Sequence, residues 1–202
     1  MSVTSLVGLI AAASSLLFIW PQVFRVFVKK STEGLVPLSF LQGCSGSLMW
    51  TIYGLKKSSF YIVFSNLSIV VAIYLILFVC VKHKKIAGWI PIFTLVSLAV
   101  VGTIIANYSM TLMGWCTIAI GTPAITPQIV RVYRTEHLYG VSESMYALLS
   151  ICCSIWIVYG LMLGDLFVSI PNIVGTVGGF YIWLRARASH RKFARPVEAT
   201  AV

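Results

Sequence analysis

Two asparagines and two tryptophans carry the chemistry this chain can offer. Asn66 and Asn172 stand 106 residues apart, each deep in an apolar run, and Trp50 and Trp156 stand at the same separation. An amide side chain donates and accepts hydrogen bonds without carrying charge, so it pairs with neutral hydroxyls at no electrostatic cost. An indole adds a flat apolar face suited to the C–H face of a sugar ring. Facing one cavity, these four groups would recognise an uncharged polyol. Plainer roles stay open to each. A buried asparagine can join two membrane helices for roughly 1–2 kcal/mol, and a tryptophan near a helix end commonly anchors it at the membrane interface. Trp20, Trp89, Trp115 and Trp183 have no partner at that spacing and read as belt or packing residues.

The dipeptide Pro21-Gln22 recurs at the same separation as Pro127-Gln128. Proline inside a helix removes one backbone hydrogen bond and bends the chain. In lipid the freed carbonyl then needs a side chain or a trapped water as partner. A bent helix of fixed shape and a hinge for opening a central pathway both fit this pattern. The chemistry that is missing narrows the choice. Away from their ends the apolar runs hold hardly any ionisable residue, the exceptions being Arg25, Arg131 and Glu143 at the edges. A proton-coupled carrier normally keeps a titratable relay inside the membrane. His83, His137 and His190 fall in connections or the tail, and the five cysteines lie in apolar runs without metal-ligand spacing. No nucleophile stands beside a base. The expectation is passive transport of a neutral solute with no metal or cofactor, and no enzyme.

The elements that must position these residues come from composition and from the repeat. At 59% hydrophobic and 10% charged residues, the chain departs from soluble-domain usage. Seven runs, approximately 4–26, 35–55, 60–81, 87–106, 109–131, 141–163 and 166–185, are each long enough for a hydrocarbon core that takes about 20 helical residues. Sliding the chain 106 residues along itself aligns Pro21-Gln22 with Pro127-Gln128, Arg25 with Arg131, Gly34 with Gly140 and Trp50 with Trp156. It also aligns Tyr53-Gly54-Leu55 with Tyr159-Gly160-Leu161 and Asn66 with Asn172. The chain is a duplication, and such self-similarity decides the fold. The expected fold is an all-α membrane protein: a first triple-helix repeat over 1–81, a linker helix within 82–107, a second repeat over 108–187 and a basic tail over 188–202. Three helices reverse the chain direction, so the odd fourth crossing is what makes the two repeats parallel.

The net charge of +10 is an orientation signal. With the N-terminus outside, thirteen of the fifteen basic residues fall on the inner side and only Lys56 and Lys57 outside, as the positive-inside rule requires. No nucleic-acid partner is expected. The N-terminus carries no positive region ahead of its apolar run, which predicts a retained first span.

The two Pro-Gln motifs in a three-plus-one-plus-three arrangement resemble a PQ-loop protein. Within that superfamily, the stretch from Trp156 through Tyr159-Gly160 and Gly164-Asp165 to Pro171-Asn172 resembles helices 6 and 7 of SWEET (MtN3/saliva) sugar transporters. The resemblance implies bidirectional uniport of a mono- or disaccharide by alternating access in the cell membrane. It implies Asn66, Asn172, Trp50 and Trp156 at the sugar, and Pro21, Pro37 and Pro127 as hinge prolines beside Gln22 and Gln128. The fourth hinge proline is Glu143 here, an acid with scope to tune gating or coupling. Trp50, bulky where plant members often hold a small residue, resembles the symmetric pocket of bacterial half-size relatives and suits a smaller sugar; the short tail also suits a bacterial protein. The partners implied are a sugar and the lipid bilayer, with a homo-oligomer left open. An exporter of a neutral amino acid or other small metabolite, with or without proton coupling, is the alternative. A non-transporting receptor would call for a larger polar site towards one compartment.

Overall fold

The computed structural model describes residues 1–29, 37–138 and 141–193, without the side chains of Phe18, Gln22, Arg25 and Lys29. Those residues form helices and short connections: α1 (Val3–Lys29), α2 (Pro37–Lys56), α3 (Phe60–Lys82), α4 (Trp89–Tyr108), α5 (Met110–Gly121), α6 (Thr126–Arg134), α7 (Glu143–Met162) and α8 (Leu166–Lys192). A single 3-10 turn, Thr122–Ile125, joins α5 to α6, so the two are one interrupted rod and the rods number seven. By length and composition five of them, α1, α3, α4, α7 and α8, are long and apolar enough to cross a membrane. The α2 helix is diluted by Ser, Gln and Gly residues, and α5–α6 is cut in two.

The interruption departs from the single helix expected over 109–131. Pro123 and Pro127 stand four residues apart, each removing an amide donor, and two missing bonds in successive turns favour the tighter 3-10 geometry between them. In this rod the bend expected from the sequence lies at Pro127 alone. In contrast, α1 stays helical through Pro21, and α8 runs seven residues past its expected end, taking in the start of the basic tail.

Packing follows the duplication. In the first bundle α3 lies against both α1 and α2; in the second, α8 lies against α5, α6 and α7. The bundles meet through α1 on α7 and α2 on α5, and α4 bridges α2 and α5. At the α2–α5 crossing a Cβ on Gly46 would fall 3.0 Å from the Cα of Gly121. Membrane helices gain little from apolar burial against lipid, so close backbone approach of small residues supplies the packing there.

The repeated Tyr-Gly-Leu marks the same turn twice. Beyond α2 the backbone passes through a left-handed residue, Ser58 at φ 52°, and beyond α7 through Gly164 at φ 64°. The amide of Ser59 then donates to the Gly54 carbonyl at 2.9 Å, and that of Asp165 to Gly160 at 2.8 Å, the helix-closing geometry that needs a positive φ. These turns lie at the end of the bundle opposite the basic residues of α6 and α8, here called the far end; the other is the basic end.

Candidate functional site

At mid-height between the bundles lies a cavity of about 110 Å³, lined by Ser15, Trp50, Ile62, Ser65, Asn66, Ile69, Trp156, Val168 and Asn172. The α1, α2 and α3 helices supply one wall and α7 and α8 the other. All four residues singled out from the repeat stand on this one cavity. Both asparagines are half-buried, and each amide nitrogen donates to the carbonyl one turn back on its own helix: Asn66 Nδ2 to Ile62 O at 3.0 Å, Asn172 Nδ2 to Val168 O at 2.8 Å. A backbone carbonyl only accepts, which fixes the amide orientation and leaves each Oδ1 as an acceptor. Neither amide is seen bridging two helices, so the described contacts give the interhelical role no support. Trp156 is buried and its indole N–H donates to Ser15 Oγ at 2.9 Å, so it does not stand as an interfacial anchor. Among the described residues no ionised side chain lines this cavity. Apolar walls with a few neutral acceptors and donors suit a neutral hydroxylated solute.

The cavity corresponds to three or four waters at roughly 30 Å³ each. A larger solute would extend into the adjoining space of about 410 Å³ towards the basic end, which Trp50 and Asn172 also line, together with Gly121, Thr122, Gln128 and Tyr146. Thr122 Oγ1 is buried without a hydrogen-bond partner among the described residues, a polar atom a solute or water would satisfy.

Towards the far end the cavity is capped. Tyr53 and Tyr159 sit three residues beyond the two tryptophans, roughly 4.5 Å further along each helix, and stack edge-on against them at 5.4 and 5.5 Å. The Tyr53 hydroxyl, fully buried, donates to the Asp165 carboxylate at 2.8–2.9 Å. Asp165, only 7% exposed, also meets Lys57 Nζ at 3.2 Å and caps α8 by accepting from the Phe167 amide. The matching contact joins Tyr159 to Ser59 at 3.0 Å. Residues 53 and 159 are repeat partners, and so are 59 and 165; the two bonds are one contact made twice, charged on one side and neutral on the other. A wider space of about 560 Å³ lies outside this layer.

The sequence gives none of these residues a capping role, and it gives Ser15 no role. The repeated Tyr-Gly-Leu was visible, but its significance depends on which residue of the other repeat each tyrosine meets. Asp165 falls between two apolar runs and carries no expected role, yet the fold brings it into the cap as a buried acid.

The expected hinge residues are dispersed. Pro21 lies exposed within α1, Pro37 is the first residue of α2, and Pro127 is exposed just after the 3-10 turn. Gln128 lines the space towards the basic end, whereas the Gln22 side chain is outside the described residues. Glu143 opens α7 at the position where Pro37 opens α2. A helix's first residue need not donate its N–H, which suits proline, and an acid there favours the helix dipole, so either residue starts the helix. The Glu143 carboxylate turns to His190 Nδ1 at 2.7 Å, and the other ring nitrogen meets Leu138 O at 2.9 Å, away from the cavity.

The comparisons agree with this architecture. The sequence model of the MtN3/saliva family, described as a sugar efflux transporter for intercellular exchange, matches residues 5–86 and 110–186. Among curated proteins, the bidirectional sugar transporter N3 of Medicago truncatula is 27% identical over 77% of this chain and 64% of its own length. The bidirectional sugar transporter SWEET13 of rice (Oryza sativa subsp. japonica) is 24% identical over 79% of this chain and 59% of its own. The chain thus spans under two thirds of these relatives' length. The 3.7 Å structure of a eukaryotic SWEET transporter superposes with a TM-score of 0.78 at 18% identity, over 94% of this chain and all of that one, and shows the same fold. With the family model covering both repeats on either side of α4, the chain belongs to the MtN3/saliva (SWEET) family.

Proposed function

We propose that this chain carries a mono- or disaccharide across a membrane in both directions by alternating access, without a coupling ion. The observation that carries the proposal is the central cavity itself: two indoles and two asparagines between the repeats, no charge among its described lining residues, capped at one end and joined to a wider space at the other. The relatives' designation as bidirectional sugar transporters supports it.

In this reading Asn66 and Asn172 offer their acceptor oxygens to sugar hydroxyls and Trp50 and Trp156 flank the ring. Release of the Tyr53–Asp165 and Ser59–Tyr159 bonds opens the far end, while the broken rod at Thr122–Ile125, flanked by Pro127 and Gln128, lets the basic end close. Pro21 with Gln22, Pro37 and Glu143 mark the corresponding bends and helix starts at that end. The far end faces outside and the basic end the cytoplasm of a cell membrane, with both termini placed accordingly: N-terminus out, C-terminus in. Residues 1–81 and 108–187 act as the two moving units about the linker 82–107, ahead of a basic tail over 188–202, and a homo-oligomer fits the reading.

One observation favours a second reading. Asp165 is a buried acid on the pathway, which would suit proton-coupled export of a neutral amino acid or another small metabolite. Reconstitution in liposomes separates the two. Counterflow of labelled glucose or sucrose that is saturable and indifferent to a pH gradient supports the facilitator. No sugar counterflow, with uptake of a neutral amino acid driven by the gradient, refutes it.

A further inference from the structure

The two tryptophans occupy equivalent positions, yet their indole N–H groups are treated differently. Trp156 donates to Ser15 Oγ at 2.9 Å across the bundle interface, and the Ser15 hydroxyl in turn donates to Ala11 O at 2.9 Å. Ser15 is thus used in both directions and buried. The repeat equivalent of Ser15 is Gly121, which stands against Trp50 in the same way: a Cβ built on it would lie 3.6 Å from Trp50 Nε1, at ordinary van der Waals distance. The cross-bundle juxtaposition is therefore kept in both halves, but one half lacks the hydroxyl. Among the described residues nothing accepts from the Trp50 N–H, and Trp50 lies at the junction of the central cavity with the larger space.

Resting on the sugar-carrier reading above, we infer that Ser15 is a positioning residue that holds Trp156 as a fixed apolar platform, while the empty place at Gly121 leaves the Trp50 N–H as a hydrogen-bond donor to a solute hydroxyl. Consequently the pocket is chemically one-sided. It offers a donor beside Trp50, acceptors at the two asparagines and only an aromatic face at Trp156. A sugar then enters with one orientation favoured: the face richest in C–H on Trp156, and a hydroxyl with a free lone pair towards Trp50. The approximate two-fold symmetry of the fold would otherwise allow two orientations equally.

The test uses full-length protein in nanodiscs with ¹⁵N-labelled indoles, whose six tryptophan signals include those of Trp50 and Trp156, assigned with W50F and W156F. S15A is expected to move the Trp156 signal without sugar present. G121S, which supplies the missing acceptor, is expected to move the Trp50 signal, and G121A gives the part of that change due to bulk alone. Losing one neutral hydrogen bond to the solute should weaken glucose or sucrose binding by about three- to tenfold in G121S beyond any effect of G121A. Titration of the unmodified protein should move the Trp50 N–H more than that of Trp156. Equal affinity in G121S and G121A, or a Trp156 signal unmoved by S15A, overturns the inference. If neither sugar binds the unmodified protein, it is the sugar-carrier reading that falls, and the inference with it; sugar binding that moves Trp156 rather than Trp50 overturns the inference alone.

Discussion

Replacing Tyr53 by phenylalanine removes a single oxygen from the cap over the central cavity and keeps the buried ring. What is lost is the hydrogen bond from the phenol to the Asp165 carboxylate at 2.8–2.9 Å. A hydrogen bond to a charged group contributes about 1.5–3 kcal/mol net. The cap at the far end should therefore open about ten to a hundred and fifty times more often. Asp165 keeps Lys57 at 3.2 Å and the Phe167 amide, so the carboxylate is not stranded and the fold should hold. The matched change Tyr159→Phe removes only the neutral bond to Ser59 at 3.0 Å, for which about 0.5–1.5 kcal/mol and roughly a two- to twelvefold effect are expected. The assay places a reporter cysteine at Ser65, in the central cavity, on a background freed of the five native cysteines. It then follows its modification by a membrane-impermeant thiol reagent added at the far-end face. When opening is fast relative to labelling, the rate tracks the open population. Should Y159F speed labelling as much as Y53F, or Y53F leave it unchanged, the account of the cap as a charged bond backed by a neutral one is wrong.

Asn66→Ala and Asn172→Ala should each abolish sugar counterflow while leaving thermal unfolding within a few degrees of the parent, since each amide bonds only its own helix; unfolding on substitution would instead return the asparagines to a packing role. In Gly46→Ala, the new Cβ stands 3.0 Å from the Gly121 backbone, so overpacking of about 1–3 kcal/mol is expected, read as a lowered melting temperature in detergent. Trp156→Phe should retain more flux than Trp156→Ala, because an aromatic face remains; equal flux in both would remove stacking from the account. Cysteines replacing Lys56 and Lys84 should label from opposite faces of the membrane, and labelling from one face would overturn the orientation.

Much of this was legible beforehand because the duplication wrote it twice. A register of 106 residues placed Asn66 with Asn172 and Trp50 with Trp156, and a parallel repeat about a linker helix left little freedom in the topology. The central cavity follows from that symmetry, since equivalent polar residues on equivalent helices meet near the axis. What the sequence could not disclose depends on contact across the axis. Nothing in the string of residues says that Tyr53 reaches Asp165 rather than Ser59, or that Ser15 lies under Trp156. The split of the fifth rod was half visible: Pro127 stood out because Pro21 matched it, while Pro123, without a counterpart, did not. Asp165 lies between two apolar runs, where the sequence gives it no role, and only the tertiary fold turns it inward. Pro37 and Glu143 seemed a contrast in function until their shared place at the first residue of a helix made them interchangeable in structure.

The cap bonds and the bond that fixes Trp156 all run from one repeat to the other, and this shapes how the sequence can vary. An isolated half would present a tyrosine and a tryptophan with no partner of its own. Two copies of one half, paired about a two-fold axis, would have to satisfy both contacts with the same residue. Fusion lifted that restriction. In a fused chain position 165 can be an acid while 59 is a hydroxyl, and 15 can hold a serine where 121 is a glycine. Tolerated substitutions should therefore come in pairs that cross the duplication, Tyr53 with Asp165, Tyr159 with Ser59 and Trp156 with Ser15, rather than in pairs of residues that share a repeat.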